Sequence, residues 1–186
     1  MSCELYHHGV IGQKWGVRRY QNPDGSLTAL GIKRRRAMNA ARTSQDVESV
    51  FQTLSDDKKR ALGVSSGDKY ASLEEGEWIV KRILLREKDT PVAFFDVWSD
   101  GEGSKASVSI AVREDRQGRG YGRKITEMGQ KWIDRNLDKF SRVEWSALEG
   151  NTASRRLAEA NGYKRDKRLD YTDETGKHAV YTKRRH

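Results

Sequence analysis

One segment constrains this chain more than any other: "SIAVREDRQGRGYGRKI", Ser109 to Ile125. Val108, Ile110 and Val112 alternate onto one face and read as a strand ending at Val112. A charged turn follows, and Gly118, Gly120 and Gly122 lead straight into a helical pattern. A helix entered this way leaves its first amide N–H groups unpaired and pointing outward. The result is an anion site suited to phosphate or pyrophosphate, with Arg116, Arg119 and Arg123 adding positive charge around it. Two common phosphate sites are excluded. The dinucleotide fingerprint fails because Arg123 stands at its third glycine, and the P-loop fails because no Gly-Lys-Ser/Thr closes the stretch.

The flanking sequence supplies the rest of an α+β fold. Residues 1–43 form a basic arm rich in glycine and aromatics, ending in a helix from Thr28 to about Arg42. Thr43 and Ser44 start another helix whose apolar stripe is Val47, Val50, Phe51 and Leu54. Ser55-Asp56-Asp57 caps a short continuation that Gly63 stops. Trp78–Leu85 and Val92–Trp98 are β-rich runs flanking a turn, and Ala106–Val112 is a third strand. A long helix covers about Tyr121 to Phe140, with Ile125, Met128, Trp132, Leu137 and Phe140 as its buried stripe. Arg142–Leu148 reads as a strand, Ala153–Asn161 as a short helix, and Asp170–Thr182 as a hairpin around Asp173-Glu174-Thr175-Gly176.

Charge is unevenly placed along the 186 residues. The net +9 divides as +6 over residues 1–43, −1 over 44–163 and +4 over 164–186. Basic ends around a neutral middle point to an acidic partner or nucleic acid for the ends, or simply to solvated tails. No apolar run reaches the ~20 residues that span a bilayer, so no membrane partner is expected. A single cysteine, Cys3, excludes an internal disulfide framework and fits a reducing cytoplasm. Cys3, His7 and His8 lack a second ligand pair at zinc spacing, so no metal site is assigned.

The glycine loop fits Q-x-x-G-x-G as Gln117-Gly118-Arg119-Gly120-Tyr121-Gly122, and this resembles the pyrophosphate-binding motif of the GNAT superfamily of N-acetyltransferases. Downstream, "NTASRRLAEANGY" (Asn151 to Tyr163) resembles that superfamily's second signature, N-x-x-S-x-x-x-x-E-x-x-G-F/Y. Its spacing is nearest the branch that acetylates the N-termini of ribosomal proteins. The resemblance covers residues 44–186 and implies a mixed central sheet of six or seven strands flanked by helices. It implies acetyl-CoA as cosubstrate, with Ile110, Ala111 and Val112 along the pantetheine arm. Gln117, Gly118, Arg119, Gly120, Tyr121, Gly122 and Arg123 fall at the pyrophosphate, and Asn151 and Ser154 contact the cosubstrate. The amine acceptor attacks directly in a ternary complex, and a protein or peptide amine fits the branch better than a small molecule.

Amine acetylation needs a neutral amine, a held thioester and a donor to the developing oxyanion. The backbone N–H around Val112 suits the last task, and a base or water relay must take the amine's proton. Many members of the superfamily place a tyrosine as general acid where this chain has Ala158, so that route is closed. Ser154 is one catalytic candidate, set against a helix-face hydroxyl bonded to the preceding turn. Glu144 is another, on the same strand face as Ser146, set against a plain exposed carboxylate. Asp96, within the apolar run "AFFDVW", is a third because burial shifts a carboxylate's pKa. Tyr163 is expected to pack, its hydroxyl finding a local partner.

The leading segment, "ELYHHGVIGQKWGVRRYQNPDGSLTALGIKRR", resembles a short motif found on assorted proteins of phages and prophages of Gram-positive bacteria. It implies a phage origin, action in the host cytoplasm or attachment to a virion, and docking of the arm on a virion or host protein. Two other readings of the chain stay open. One is a virion structural or cargo protein that uses the fold only for contacts. The other is a toxin-like acetyltransferase of aminoacyl-tRNA, favoured by the basic ends.

Overall fold

The computed structural model describes residues 20–22, 24–64, 69–70, 79–99 and 105–184. Cys3, His7, His8, Trp15 and Trp78 lie outside the described residues, as does most of the leading segment. The chain divides into two compact units, with the boundary between Arg42 and Thr43.

In the first unit, Gln21 and Leu27 form a β-bridge around a turn. Asp24 holds the turn by accepting from the Ser26 amide at 2.9 Å. Thr28 caps the following helix through its hydroxyl, which accepts from Gly31 N–H at 3.1 Å. Helix α1 spans Ala29–Phe51 without the break expected at Thr43-Ser44. Neither residue breaks a helix, since each costs only about 0.5 kcal/mol relative to alanine, and no proline or glycine follows them.

The second unit is built on a seven-stranded sheet. Its strands are β1 (Ile79–Glu87), β2 (Thr90–Ser99), β3 (Lys105–Val112), β4 (Arg142–Leu148), β5 (Lys164–Arg165), β6 (Tyr171–Asp173) and β7 (Gly176–Lys183). The order is β1-β2-β3-β4-β7-β5, with β6 also paired to β7. All pairings are antiparallel except β3–β4. The expected hairpin closes on the two-residue loop Glu174-Thr175, with Asp173 opposite Gly176 and Tyr171 opposite His178.

Helices cover both faces. On one, α3 (Tyr121–Asn136) and α4 (Thr152–Ala160) pack on a core that includes Phe95, Val97, Ile125, Ile133, Trp145 and Tyr181. On the other, Val47, Val50, Phe51 and Leu54 form the expected stripe and pack with Tyr70, Phe94 and Ala111. Beside them α2 (Asp56–Ala61) follows its Ser55 N-cap. Strand β2 lies between these layers, which explains its unbroken run of six buried residues, Val92 to Val97.

The stripe of α3 departs from expectation at Met128, which is exposed; Ile125 and Phe140 are buried and Trp132 and Leu137 pack against the core as expected. The helix also buries Thr126, Gly129, Gln130 and Ile133, so its inward face is turned toward Gly129. Gly129 sets this rotation: a Cβ there would stand 2.5 Å from the Phe95 ring, so the helix backbone rests directly on that side chain. Periodicity counts apolar side chains and passes over the residue whose missing side chain makes the contact.

Candidate active site

Strands β3 and β4 pair over only three positions, Lys105↔Arg142, Ala106↔Val143 and Ser107↔Glu144. Beyond them β3 continues to pair with β2 up to Val112, and β4 continues to pair with β7 up to Leu148. The two parallel strands therefore diverge, and a cleft of about 820 Å³ opens between them. It is lined by Ser107–Val112 on one side and Glu144–Leu148 on the other.

The glycine loop follows directly on the end of β3. Gly118 and Gly120 have φ of 75° and 81°, a region that only glycine enters without strain, and no atom lies within 4 Å of where their Cβ atoms would be. Gly120 is the N-cap of α3 and offers no side-chain acceptor to the amides that follow. Several N–H groups thus face open space at the positive end of a 16-residue helix. Gln117, Gly118, Tyr121 and Gly122 line the cleft, whereas Arg119, Gly120 and Arg123 are exposed and lie outside that lining. Arg123 pairs with Glu127 one turn along the helix.

Charge around the loop is largely balanced. Lys58 of α2, which carries no motif, donates to Glu114 at 2.7 Å and to Gln117 Oε1 at 3.2 Å. Arg116 pairs with Glu87 at 3.2 Å. The Tyr121 hydroxyl donates to the same Glu87, and this bond raises the phenol's pKa and lowers the carboxylate's. Attraction for an anion therefore rests on the converging amides more than on net side-chain charge. This donor set suits a diphosphate, and the diverging strands suit an extended chain laid between them.

Ile110, Ala111 and Val112 line the cleft from β3, as expected. Asn151 and Ser154 line it from α4. Asn151 also caps that helix, its Oδ1 accepting from Ser154 N–H at 3.0 Å, so cap and cleft positions coincide. The Ser154 hydroxyl accepts from Trp145 Nε1 across the cleft floor at 2.9 Å rather than bonding the preceding turn. Glu144 lines the cleft as well, held by Arg142 Nε at 2.6 Å.

Asp96 is placed differently. It is fully buried and accepts from Arg82 Nη2 at 2.8 Å and from the Tyr70 hydroxyl at 3.0 Å. Burial and this neighbouring carboxylate push the Tyr70 phenol well above its ordinary pKa. Asp96 is absent from the residues lining the cleft, because a buried carboxylate beside a guanidinium is held as an internal ion pair. Ala158 is buried in the core, so nothing acts from that position. Tyr163 packs edge-on to Trp145, but its hydroxyl has no hydrogen-bond partner among the described residues, and burial raises its pKa.

The β4 side of the cleft brings together residues that the sequence did not mark as a group. Ser146, Tyr171 and His178 line it together, from β4, β6 and β7. His178 is 3% exposed, and the Tyr171 ring stacks on it at 4.5 Å. The expected turn already implied that Tyr171 stands opposite His178. Nothing in the sequence, however, showed β7 lying beside β4.

A family model described as an acetyltransferase (GNAT) domain matches residues 35–164. Among solved structures, a GNAT-family acetyltransferase from Bacillus anthracis superposes with a TM-score of 0.57 at 15% identity, covering 77% of this chain and 89% of that one. The ribosomal-protein-S18-alanine N-acetyltransferase of Escherichia coli gives 0.51 at 16% identity, covering 75% and 84%. An acetyltransferase structure from Salmonella typhimurium with its cofactor acetyl-CoA gives 0.47 at 17% identity, covering 55% of this chain and 63% of that one. No curated protein sequence matches the chain. The family model spans well over half of the residues. The chain belongs to the GNAT acetyltransferase domain family.

Proposed function

We propose that this chain acetylates the amine of a protein or peptide, with both substrates bound at once. One observation carries the reading: the β3–β4 cleft is lined both by the glycine turn that opens α3 and by a group of hydroxyl, imidazole and carboxylate side chains. Acetyl-CoA supplies an activated acetyl thioester. The amides of Gly118 to Arg123 hold the diphosphate, and the β3 edge from Ile110 to Val112 aligns the pantetheine arm. The amine enters from the side of Ser146 and Tyr171, so that positioning does most of the work.

Within this reading Glu144 orients the amine, and Ser154 donates a hydrogen bond toward the leaving sulfur. Asp96 ties β2 to β1 through Arg82 and holds Tyr70 against the sheet. The spacing of the Asn151–Tyr163 signature supports a peptide amine, and the E. coli neighbour is itself named for a ribosomal-protein alanine. The leading segment, by its wording, suits a phage or prophage protein that works in the host cytoplasm or on a virion. It acts as an attachment tag rather than as chemistry.

The test is transfer of labelled acetyl from acetyl-CoA to host and virion proteins, read by mass spectrometry. Label on protein amines supports the reading. Tight acetyl-CoA binding with no transferred label would instead favour a virion component that uses the fold for contacts. Label on aminoacyl-tRNA would favour the toxin-like reading, and its tRNA binding would weaken steeply with salt.

A further inference from the structure

The side chains on the β4 side of the cleft are connected by bonds that a merely structural cluster does not require. Ser146 Oγ lies 3.3 Å from His178 Nδ1 and 3.0 Å from the Tyr171 hydroxyl. On the far side of the ring, His178 Nε2 lies 3.1 Å from Asp173 Oδ1 and 2.8 Å from Thr175 Oγ1. Thr175 in turn donates its hydroxyl proton to the same Asp173 oxygen at 2.6 Å. An ionised carboxylate only accepts, so Asp173 fixes the ring with its proton on Nε2. The Nδ1 lone pair is then left facing the Ser146 hydroxyl. The hydrogen bond from Thr175 is the main cause that keeps Asp173 ionised, lowering its pKa.

Burial separates the members by task. His178 is almost fully enclosed, whereas Ser146 is exposed and Tyr171 is 45% exposed, and all three line the cleft. The imidazole therefore cannot meet a bulky acceptor directly, but the hydroxyl in front of it can. The titratable groups facing the ring are Tyr171 and Asp173, both on β6; β4 presents Ser146 to it.

We propose that Ser146, His178 and Asp173 form a proton relay for the amine acceptor. This rests on the reading that the acceptor is an amine entering on this side. As the amine nitrogen bonds to the acetyl carbon and the carbon–sulfur bond breaks, a proton leaves nitrogen for Ser146 Oγ. The serine's own proton passes to His178 Nδ1, so Ser146 ends unchanged. The departing CoA sulfur carries the bond's electron pair and takes a proton from solvent, directly or passed on through the Ser154 hydroxyl, which regains one from water, and the imidazolium later releases its proton to water. His178 is the base acting through Ser146, and Asp173 is a positioning residue.

The test uses the full chain, acetyl-CoA and a short peptide with a free N-terminal alanine. Wild-type kcat/KM for the peptide should climb with pH through two ionisations, the amine's and the imidazole's. His178→Gln should keep only the amine's, with the rate lowered about 100-fold or more. Ser146→Ala, a change at an exposed position that leaves the fold intact, should lower kcat similarly. Calorimetry should show unchanged acetyl-CoA affinity for both variants. Asp173→Asn should lower kcat less and leave KM for acetyl-CoA unchanged.

A wild-type pH slope retained in both Ser146→Ala and His178→Gln overturns the relay while leaving amine acetylation standing. Acetyl trapped on Ser146 overturns it too, since the hydroxyl would then be a nucleophile. Transfer by the wild type to other molecules but not to peptide amines would remove the acceptor reading and the relay with it.

Discussion

The indole N–H of Trp145 donates to the hydroxyl oxygen of Ser154 at 2.9 Å, tying the floor strand of the cleft to the first turn of α4. Because the serine oxygen is the acceptor, its own proton stays available to point into the cleft. Ser154→Ala removes both things at once. The stranded indole should cost about 1–3 kcal/mol of stability, and kcat should fall about 10-fold or more if the hydroxyl assists the leaving sulfur. Denaturation together with steady-state kinetics separates the two. A stability loss with kcat unchanged would leave Ser154 a structural residue.

Gly120 is open to solvent and adopts a φ of 81°. Replacing it with glutamate strains the backbone and sets a carboxylate among the amides meant for phosphate. Acetyl-CoA binding should weaken at least about 10-fold by calorimetry, with far-UV circular dichroism unchanged. Because the space around Gly120 is open, the cost to the fold is confined to that backbone strain.

Gly129 is the opposite case. Alanine there gains at most about 1 kcal/mol of helix propensity but drives a methyl into the Phe95 ring, which is fully buried. Overpacking of this kind typically costs about 1–3 kcal/mol. Gly129→Ala should therefore lower the denaturation midpoint, and Phe95→Leu in the same chain should recover part of the loss. If Gly129→Ala alone proved stabilising, the close approach of α3 to β2 would be refuted.

Asp170 accepts from Arg165 at 2.8 Å and from the Val180 amide at 2.9 Å, and these bonds hold its carboxyl below the usual range. A depressed acid stabilises the fold above its unfolded pKa of about 3.9 and ceases to do so as pH falls through the folded value. Wild type should thus exceed Asp170→Asn in stability near neutral pH. The gap should narrow as pH drops below about 4. Urea titrations of both proteins across that range give the difference directly.

What could be read from the sequence was local. The turn from Val112 through glycines into α3, the Asn151 cap and the Asp173–Gly176 turn each depend on neighbours within a few residues, and each appears as expected. Residues brought together across strands were not legible. Arg82 meets Asp96 because β1 pairs with β2 in a register that contains a bulge, and neither residue carries that register. His178 reaches Ser146 because β7 inserts beside β4 rather than at the sheet's edge. Asp96 looked like a candidate base for want of its partner, and His178 was overlooked for the same reason.

The three residue pairs that join β3 to β4 are the sole ladder between two halves of the sheet among the described residues. Further along, the rungs are missing, and the edges that would carry them face each other across the cleft. A molecule laid in that gap completes the ladder, so cosubstrate binding and sheet cohesion become one event. Saturating acetyl-CoA should then slow amide hydrogen exchange along β3 and β4 together, on the far sides of both strands as well as at the points of contact. For this fold the ligand serves as a splint as well as a reactant.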